Sequence, residues 1–384
     1  MHPFVTFNKC FSLALLLLFL SFRSFAQPEK VGMGYLLEID SEVFQETRQF
    51  AVYAPEGYTA SENRYPILYV LDGEWNFHFV TGLVKQLISS GDIPPMLVVG
   101  VYHKNRNKEL TPPGPNGPSG NFGGAGKLLT HLVDELHPYM TKQYRTQPYS
   151  LLLGHSFGGL FSLYAMREKP SFFQAILSLS PSLGRNDEFE LQQAQSFFTN
   201  NPTYSESLFL ALGNEGGATY YSTQKYVKEL FEKEELPMRF SFEHFEKEDH
   251  ISMTIPGIWK GLKFVFEGYN PDKLPAKLDE LYLVESHFRM LSHRYGYNIF
   301  VPERYYLSFF REQLNEKEWD YAFYILERYK SIYPESLDLI QAYIDIHTLM
   351  GNLEEAEKYR GEAFPYPKVE ELIRSNSKEK GRVF

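Results

Sequence analysis

The 384-residue sequence predicts an α/β domain, built on a mostly parallel eight-stranded sheet flanked by helices, followed by an all-α region of helical hairpins. Three observations carry that expectation. From residue 33 to about 268, short runs rich in β-branched and aromatic residues alternate with helical patterns, the order that crossover-connected parallel strands require. From 276 to 365 the strand pattern stops, and Tyr, Leu and Ala recur at helical spacing. Between them, the stretch YSLLLGHSFGGL from Tyr149 to Leu160 puts one hydroxyl among glycines at the exit of an apolar strand.

The first two strands, Gly34 to Ile39 and Arg48 to Ala54, read as an antiparallel hairpin. Tyr65 to Leu71, Met96 to Tyr102 and Tyr149 to Leu153 are nearly continuous in Val, Ile, Leu and Tyr, as strands covered on both faces are. Ala175 to Leu179, Leu208 to Leu212 and Phe240 to Phe245 complete eight strands, and helices are expected near 76–90, 124–143, 158–168, 219–235 and 255–268. Eight strands in this order describe an α/β-hydrolase sheet. Residues 103–124 are so dense in Pro and Gly that no regular element is expected there. This insertion leaves the carboxyl end of the fourth strand, the edge where open α/β sheets hold ligands.

In the final region, EWDYAFYILERYKSIYP from Glu318 and NLEEAEKYRGEAFPYP from Asn352 align at an offset of 34, with Ala322 matching Ala356. That period resembles the tetratricopeptide repeat, and plain helical packing against the sheet domain is the alternative. The last residues, 371–384, read as a frayed tail.

At the amino end, Lys9 precedes the apolar run Phe11 to Leu20, and Ser24-Phe25-Ala26 supplies small residues where a signal peptidase cuts. Residues 1–26 are expected to be a signal peptide and the chain to be exported, periplasmic or secreted. The run is shorter than the roughly 20 residues a membrane span needs. The single cysteine, Cys10, lies in that segment, so a mature chain would form no disulfide. A net charge of −10 with no basic cluster argues against a nucleic-acid partner. No histidine pair has the spacing of a metal site, and no cofactor is expected.

Gly154-x-Ser156-x-Gly158 has the form of a nucleophile elbow. Small residues let the serine adopt a strained strand-to-helix turn that lifts its hydroxyl above the sheet, and the helix that follows directs its amino-terminal dipole at developing oxyanion charge. The backbone N–H of Phe157 is one expected oxyanion donor. A serine needs a base, and of the 11 histidines only His250 falls on a loop after a late strand and before the last helix of the sheet domain. His155 adjoins Ser156 and reads as structural. Glu215, on the loop after the seventh strand, is the expected acid, with a Ser–His dyad as the alternative; Asp249 and Glu248 are too local to orient the ring. The second oxyanion donor is expected from Gly73 or Glu74, in the turn Asp72-Gly73-Glu74 after the third strand. Trp75 and Phe77 line a substrate pocket or pack in the core.

As a set, YVLDGEWNF, NRNKELTP, HLVDELHPYMTKQYRT, LLLGHSFGGLFSLYAM, SPSL and EDHISM resemble the esterases of the esterase D type, over roughly residues 34 to 268. That group includes S-formylglutathione hydrolases, feruloyl esterases and siderophore esterases, and the blocks around Arg106 and Ser156 are most similar to the siderophore branch. The resemblance implies Ser156 as nucleophile, His250 as base and Arg106 as a substrate contact; a solvated loop arginine is the other reading of Arg106. The expected organisation is a signal peptide at 1–26, an esterase domain at 27–270, a tetratricopeptide-like region at 276–370 and a tail.

The expected function is that of an exported serine carboxylester hydrolase acting on a small-molecule ester through an acyl-enzyme. An acyltransferase on the same fold, or a non-catalytic protein whose C-terminal helices bind a protein partner, are the alternatives. The ester itself is not legible in the sequence.

Overall fold

The structure, a computed structural model, describes residues 32–60, 62–231, 238–270, 281–362 and 382–383. The expected signal peptide and most of the tail lie outside them.

Among the described residues nine strands form one sheet: β1 (Tyr35–Ser41), β2 (Glu46–Tyr53), β3 (Tyr65–Val70), β4 (Leu97–Val101), β5 (Thr146–His155), β6 (Ala175–Leu179), β7 (Ser207–Gly213), β8 (Arg239–Phe245) and β9 (Arg382–Val383). Their order is β8-β7-β6-β5-β3-β4-β2-β1-β9. The pairs from β4 through β3 to β8 are parallel, and β1, β2 and β9 pair antiparallel at one edge. The chain runs outward from β3 to β4, then crosses back to β5 on the other side of β3. The boundary between β3 and β5 is therefore a topological switch point, where the crevice above the carboxyl ends opens.

Period-two alternation divides the interior into two cores. In β3, Leu68 and Val70 face one core while Ile67 and Tyr69 face the other; in β5, Leu151 and Leu153 are separated in the same way from Leu152. The first core is covered by α1 (Gly73–Ser89) and α8 (Thr254–Val265), the second by α3 (Ala125–Thr130), α4 (His137–Gln143), α5 (Phe157–Glu168), α6 (Phe189–Asn200) and α7 (Gly217–Phe231). A π-helical turn, His131–Leu136, joins α3 to α4.

Three expectations are corrected. The insertion is not devoid of regular structure, because it contains α2 (Arg106–Leu110). Asn105 caps that helix by accepting from the Lys108 amide at 3.2 Å, and the Glu109 carboxylate takes the amide of Asn105 at 3.0 Å. Helix α6 was not signalled by its polar sequence, yet Leu191, Ala194, Phe197 and Phe198 bury one face and Glu190 pairs with Arg167 of α5. The tail does not simply fray, since Arg382 and Val383 pair with Leu36 and Tyr35.

The C-terminal helices are α9 (Leu281–Tyr295), α10 (Glu303–Glu316), α11 (Trp319–Ile332), α12 (Leu337–Leu349) and α13 (Leu353–Glu362). They extend the first core rather than forming a separate one. Tyr295 meets Tyr149 of β5 edge-on at 5.4 Å and donates its hydroxyl to the Val265 carbonyl at 2.8 Å. Arg304 of α10 donates to the Gly91 carbonyl after α1 at 3.1 Å.

Candidate active site

Three strands of the parallel sheet end on non-glycine residues with left-handed φ: Asp72 after β3 (56°), Ser156 after β5 (59°) and Ser180 after β6 (39°). Such conformations cost about 1–3 kcal/mol each and persist where the surroundings over-determine them. All three lie at the carboxyl edge, beside the switch point.

Ser156 stands between β5 and α5 with φ 59° and ψ −115°. The glycines around it have distinct reasons. A Cβ on Gly154 would lie 2.0 Å from the Gly158 carbonyl oxygen, and one on Gly159 would lie 2.8 Å from the Leu179 carbonyl oxygen, so both allow backbone to cross backbone. A Cβ on Gly158 would meet nothing closer than 3.5 Å, from Asp72 Oδ2 and Leu71 Cβ. Phe157 is the first residue of α5, so its amide is among those that helix geometry leaves without an i−4 partner.

His250 and Glu215, on the loops after β8 and β7, come together: His250 Nδ1 and Glu215 Oε2 are 2.8 Å apart. The imidazole side chain is 37% exposed and the carboxylate 9% exposed, so Glu215 holds the ring through Nδ1, while among the described residues the Ser156 hydroxyl is in reach of Ser182 and forms no hydrogen bond with His250. Burial alone would raise the Glu215 pKa, but hydrogen bonds with His250 and Ser180 outweigh it and hold the carboxyl below its ordinary value. His155 fixes His250 from the other side, its Nε2–H donating to the His250 carbonyl at 2.6 Å, with ring centroids 4.5 Å apart. Burial first, and the charge on His250 second, lower His155 to about 4, so it is a neutral structural donor. Asp249 Oδ1 instead accepts the amides of Ile251 and Ser252 at 2.8 and 2.7 Å, closing its own turn.

The Asp72 turn is built from buried ionic contacts. Arg106 Nε and Nη2 donate to Asp72 Oδ1 and Oδ2 at 2.7 and 2.9 Å, and the Asp72 amide donates to His103 Nε2 at 3.1 Å. His103 Nδ1–H then donates to Glu109 Oε2 at 3.2 Å, and Glu109 receives Arg48 from β2. Burial opposes ionisation of Glu109, yet His103, Arg48 and the Asn105 amide hold its pKa at about 2. Arg106 is therefore not a solvated loop residue: it clamps the insertion to the turn beside Ser156, with Trp75 and Phe157 each 5.6 Å from its guanidinium carbon.

Trp75 and Glu74 divide the expectations for that turn. Trp75 is 65% exposed and Phe77 fully buried, so only Trp75 is available to a ligand. Gly73 has a packing reason to be a glycine, because a Cβ would lie 2.5 Å from the Gly100 backbone of β4. The amides of Trp75 and Asn76 turn back to the Asp72 carbonyl at 3.0 and 2.9 Å, and the Glu74 amide lies against its own carboxylate, whose pKa burial raises. This leaves the Gly73 amide as the donor of that turn not engaged in these contacts.

The sequence did not single out Ser182 and Ser180. Ser182 Oγ lies 3.4 Å from Ser156 Oγ, a long contact for two hydroxyls, and its amide donates to the Ser156 carbonyl at 3.2 Å. Ser180 Oγ accepts the Gly213 amide at 3.1 Å, joining the β6 exit to the loop of Glu215. The SPSL block after β6 was the signal available for both. Among the described residues, no cluster of three or more His, Cys, Asp or Glu side chains is arranged for a metal ion.

Comparison with known proteins agrees with this architecture. The family described as "Putative esterase" matches residues 41–232. The ferri-bacillibactin esterase BesA of Bacillus subtilis is 26% identical over 233 residues, covering 54% of this chain and 81% of BesA. The crystal structure of an IroE-like serine hydrolase from Shewanella oneidensis is 25% identical with a TM-score of 0.67, covering 77% of this chain and 99% of that one. An uncharacterised protein from Capnocytophaga ochracea shares the fold over 88% of this chain and 98% of its own, at 17% identity and a TM-score of 0.60. The chain belongs to this esterase family and has the α/β-hydrolase fold, with a helical region appended.

Proposed function

We propose that the protein is an exported serine carboxylester hydrolase in which Ser156 is the nucleophile, His250 the general base and Glu215 the orienting acid. The observation that carries the reading is the 2.8 Å contact between His250 Nδ1 and Glu215 Oε2, on a histidine tied to the residue before Ser156. A carboxylate on Nδ1 selects the tautomer whose Nε2 lone pair is free to take a proton.

In the proposed cycle, Ser156 Oγ adds to the ester carbonyl carbon as its proton passes to His250 Nε2. The long contact to Ser182 leaves the hydroxyl free to rotate for this step. Oxyanion charge is met by the amides of Phe157 and Gly73 at the starts of α5 and α1, with Glu74 the less favoured alternative. Collapse expels the alcohol, which leaves with the proton from His250, and an acyl-serine remains. Water, deprotonated by His250, adds to that acyl group, and collapse releases the carboxylic acid and restores Ser156.

Export is supported by the signal-peptide pattern of 1–26, which lies outside the described residues. Among the described residues no helix is long and apolar enough to cross a membrane. Similarity to a ferri-bacillibactin esterase makes siderophore esters the first substrate class to examine. The 34-residue period of the helical region supports a tetratricopeptide-like origin, while its shared core supports a role as a fixed cover on the sheet. Labelling with a fluorophosphonate followed by peptide mass spectrometry tests the nucleophile: the adduct is expected on Ser156, and an unlabelled Ser156 in folded protein contradicts the proposal.

A further inference from the structure

Two guanidinium groups flank Phe157, the residue after Ser156. The guanidinium carbon of Arg106 is 5.6 Å from its ring centroid; that of Arg185 is 5.3 Å away, and 3.6 Å from the centroid of Phe122. Phe122 and Phe157 meet edge-on at 6.4 Å. The insertion, the elbow and the loop between β6 and α6 thus converge on one aromatic patch.

The two cations are in different electrostatic states. Arg106 commits Nε and Nη2 to the buried carboxylate of Asp72. Arg185 has no ion-pair partner among the described residues, and its Nε is shielded from solvent without a hydrogen-bond acceptor. Aromatic faces offset a cation only in part, and a shielded donor left unpaired is costly. Of the two acids on its own loop, Asp187 forms no ion pair with it among the described residues, and Glu188 is taken by Lys225 at 2.7 Å and Ser222 at 2.8 Å.

Arg185 is also tethered to the reacting centre. Its amide donates to the Ser182 carbonyl at 3.3 Å, and the Ser182 amide donates to the Ser156 carbonyl at 3.2 Å. The guanidinium therefore hangs over the elbow from two short backbone links. On the far side the loop is fixed by Glu188 and by Asn186, whose side chain packs 3.2 Å from the position of a Cβ on Gly114 of the insertion.

We propose that Arg185 is a specificity-determining residue that binds a carboxylate carried on the acyl portion of the ester, with Phe122 and Phe157 packing against the carbon chain between that carboxylate and the scissile carbonyl. This rests on Ser156 being the nucleophile, and it names the substrate class of that site as acidic esters. The planar guanidinium supplies parallel N–H donors to the carboxylate, beside the aromatic faces of Phe122 and Phe157.

The test compares p-nitrophenyl pentanoate with the p-nitrophenyl monoester of glutaric acid, which has the same chain bearing a terminal carboxylate, and a second pair with the charge on the leaving phenol instead. Wild type, Arg185→Met, Arg185→Gln and Arg185→Lys are assayed after a thermal melt confirms folding. Relative to wild type, Arg185→Met is expected to lower the kcat/KM ratio of glutarate to pentanoate by about 10- to 100-fold, chiefly through KM. Arg185→Gln should follow Met, Arg185→Lys should fall between, and the wild-type preference should weaken with salt. The proposal is overturned if the ratio for the acyl pair stays within about twofold of wild type in Met and Gln, or if only the leaving-group pair responds. Such a result with turnover still abolished by Ser156→Ala sinks the role of Arg185 alone, whereas pentanoate turnover by Ser156→Ala sinks the reading beneath it.

Discussion

His155 Nε2–H donates to the carbonyl oxygen of His250 at 2.6 Å, so the residue before the elbow serine grips the main chain of the histidine whose ring Glu215 holds. Strand β5 and the loop after β8 are thereby joined by one hydrogen bond beside the proposed nucleophile and base.

The burial of His155 makes a pH prediction. The folded pKa of His155, about 4, is below its unfolded value of about 6.5, so the unfolded chain takes up the proton first as the pH falls. The stabilisation is complete above about pH 6.5 and is lost towards pH 4, by up to about 3 kcal/mol. His155→Gln keeps an N–H for the carbonyl but cannot titrate. Urea unfolding at several pH values should show a flatter dependence between 4 and 6.5 for this variant; equal slopes would refute the assignment.

The Arg106–Asp72 pair should behave as a buried ion pair. Arg106→Leu leaves a carboxylate of 3% exposure unpaired and is expected to cost about 2–4 kcal/mol. Because Asp72→Asn removes that charge, the double variant should lose less than the two singles summed, with a coupling of about 1–3 kcal/mol. Additivity in thermal or denaturant melts would show that the pair is not coupled.

The elbow glycines should differ sharply under alanine substitution. Gly154→Ala drives a methyl into the Gly158 carbonyl and should cost more than about 3 kcal/mol or prevent folding. Gly159→Ala should be milder, because its nearest neighbour is 2.8 Å away, and Gly158→Ala, with 3.5 Å of room, should change stability by less than about 1 kcal/mol. Reversal of this order in soluble yield and melting temperature would mean that the turn has a different geometry.

Glu215→Gln distinguishes a triad from a dyad. If Glu215 sets the His250 tautomer, kcat falls by about 10²- to 10⁴-fold with little change in KM. A loss below about tenfold would favour Ser156 and His250 acting alone.

Much of this site was legible because its determinants are local. Ser156 and the elbow glycines lie within six residues, and His250 and Glu215 could be placed by counting strands with strong apolar patterns. The links Arg106–Asp72, His103–Glu109 and Arg48–Glu109 were not legible, since ion pairs between elements leave no period in the chain. Helix α2 was hidden in a Pro- and Gly-rich stretch because its stability comes from the Asn105 cap and the Glu109 contacts rather than from propensity. The sequence could not reveal that the Gly73 α-carbon packs on β4. Arg185 and Ser182 follow a short SPSL block whose role appears only when β6 is set beside β5.

The most direct measurement is steady-state hydrolysis of a neutral p-nitrophenyl ester by wild type and by Ser156→Ala, with folding checked by thermal melt. The proposed mechanism predicts a loss of at least about 10³-fold in kcat/KM, to the background set by the remaining oxyanion donors and binding surface. A folded Ser156→Ala protein that hydrolyses the ester at the wild-type rate would contradict it.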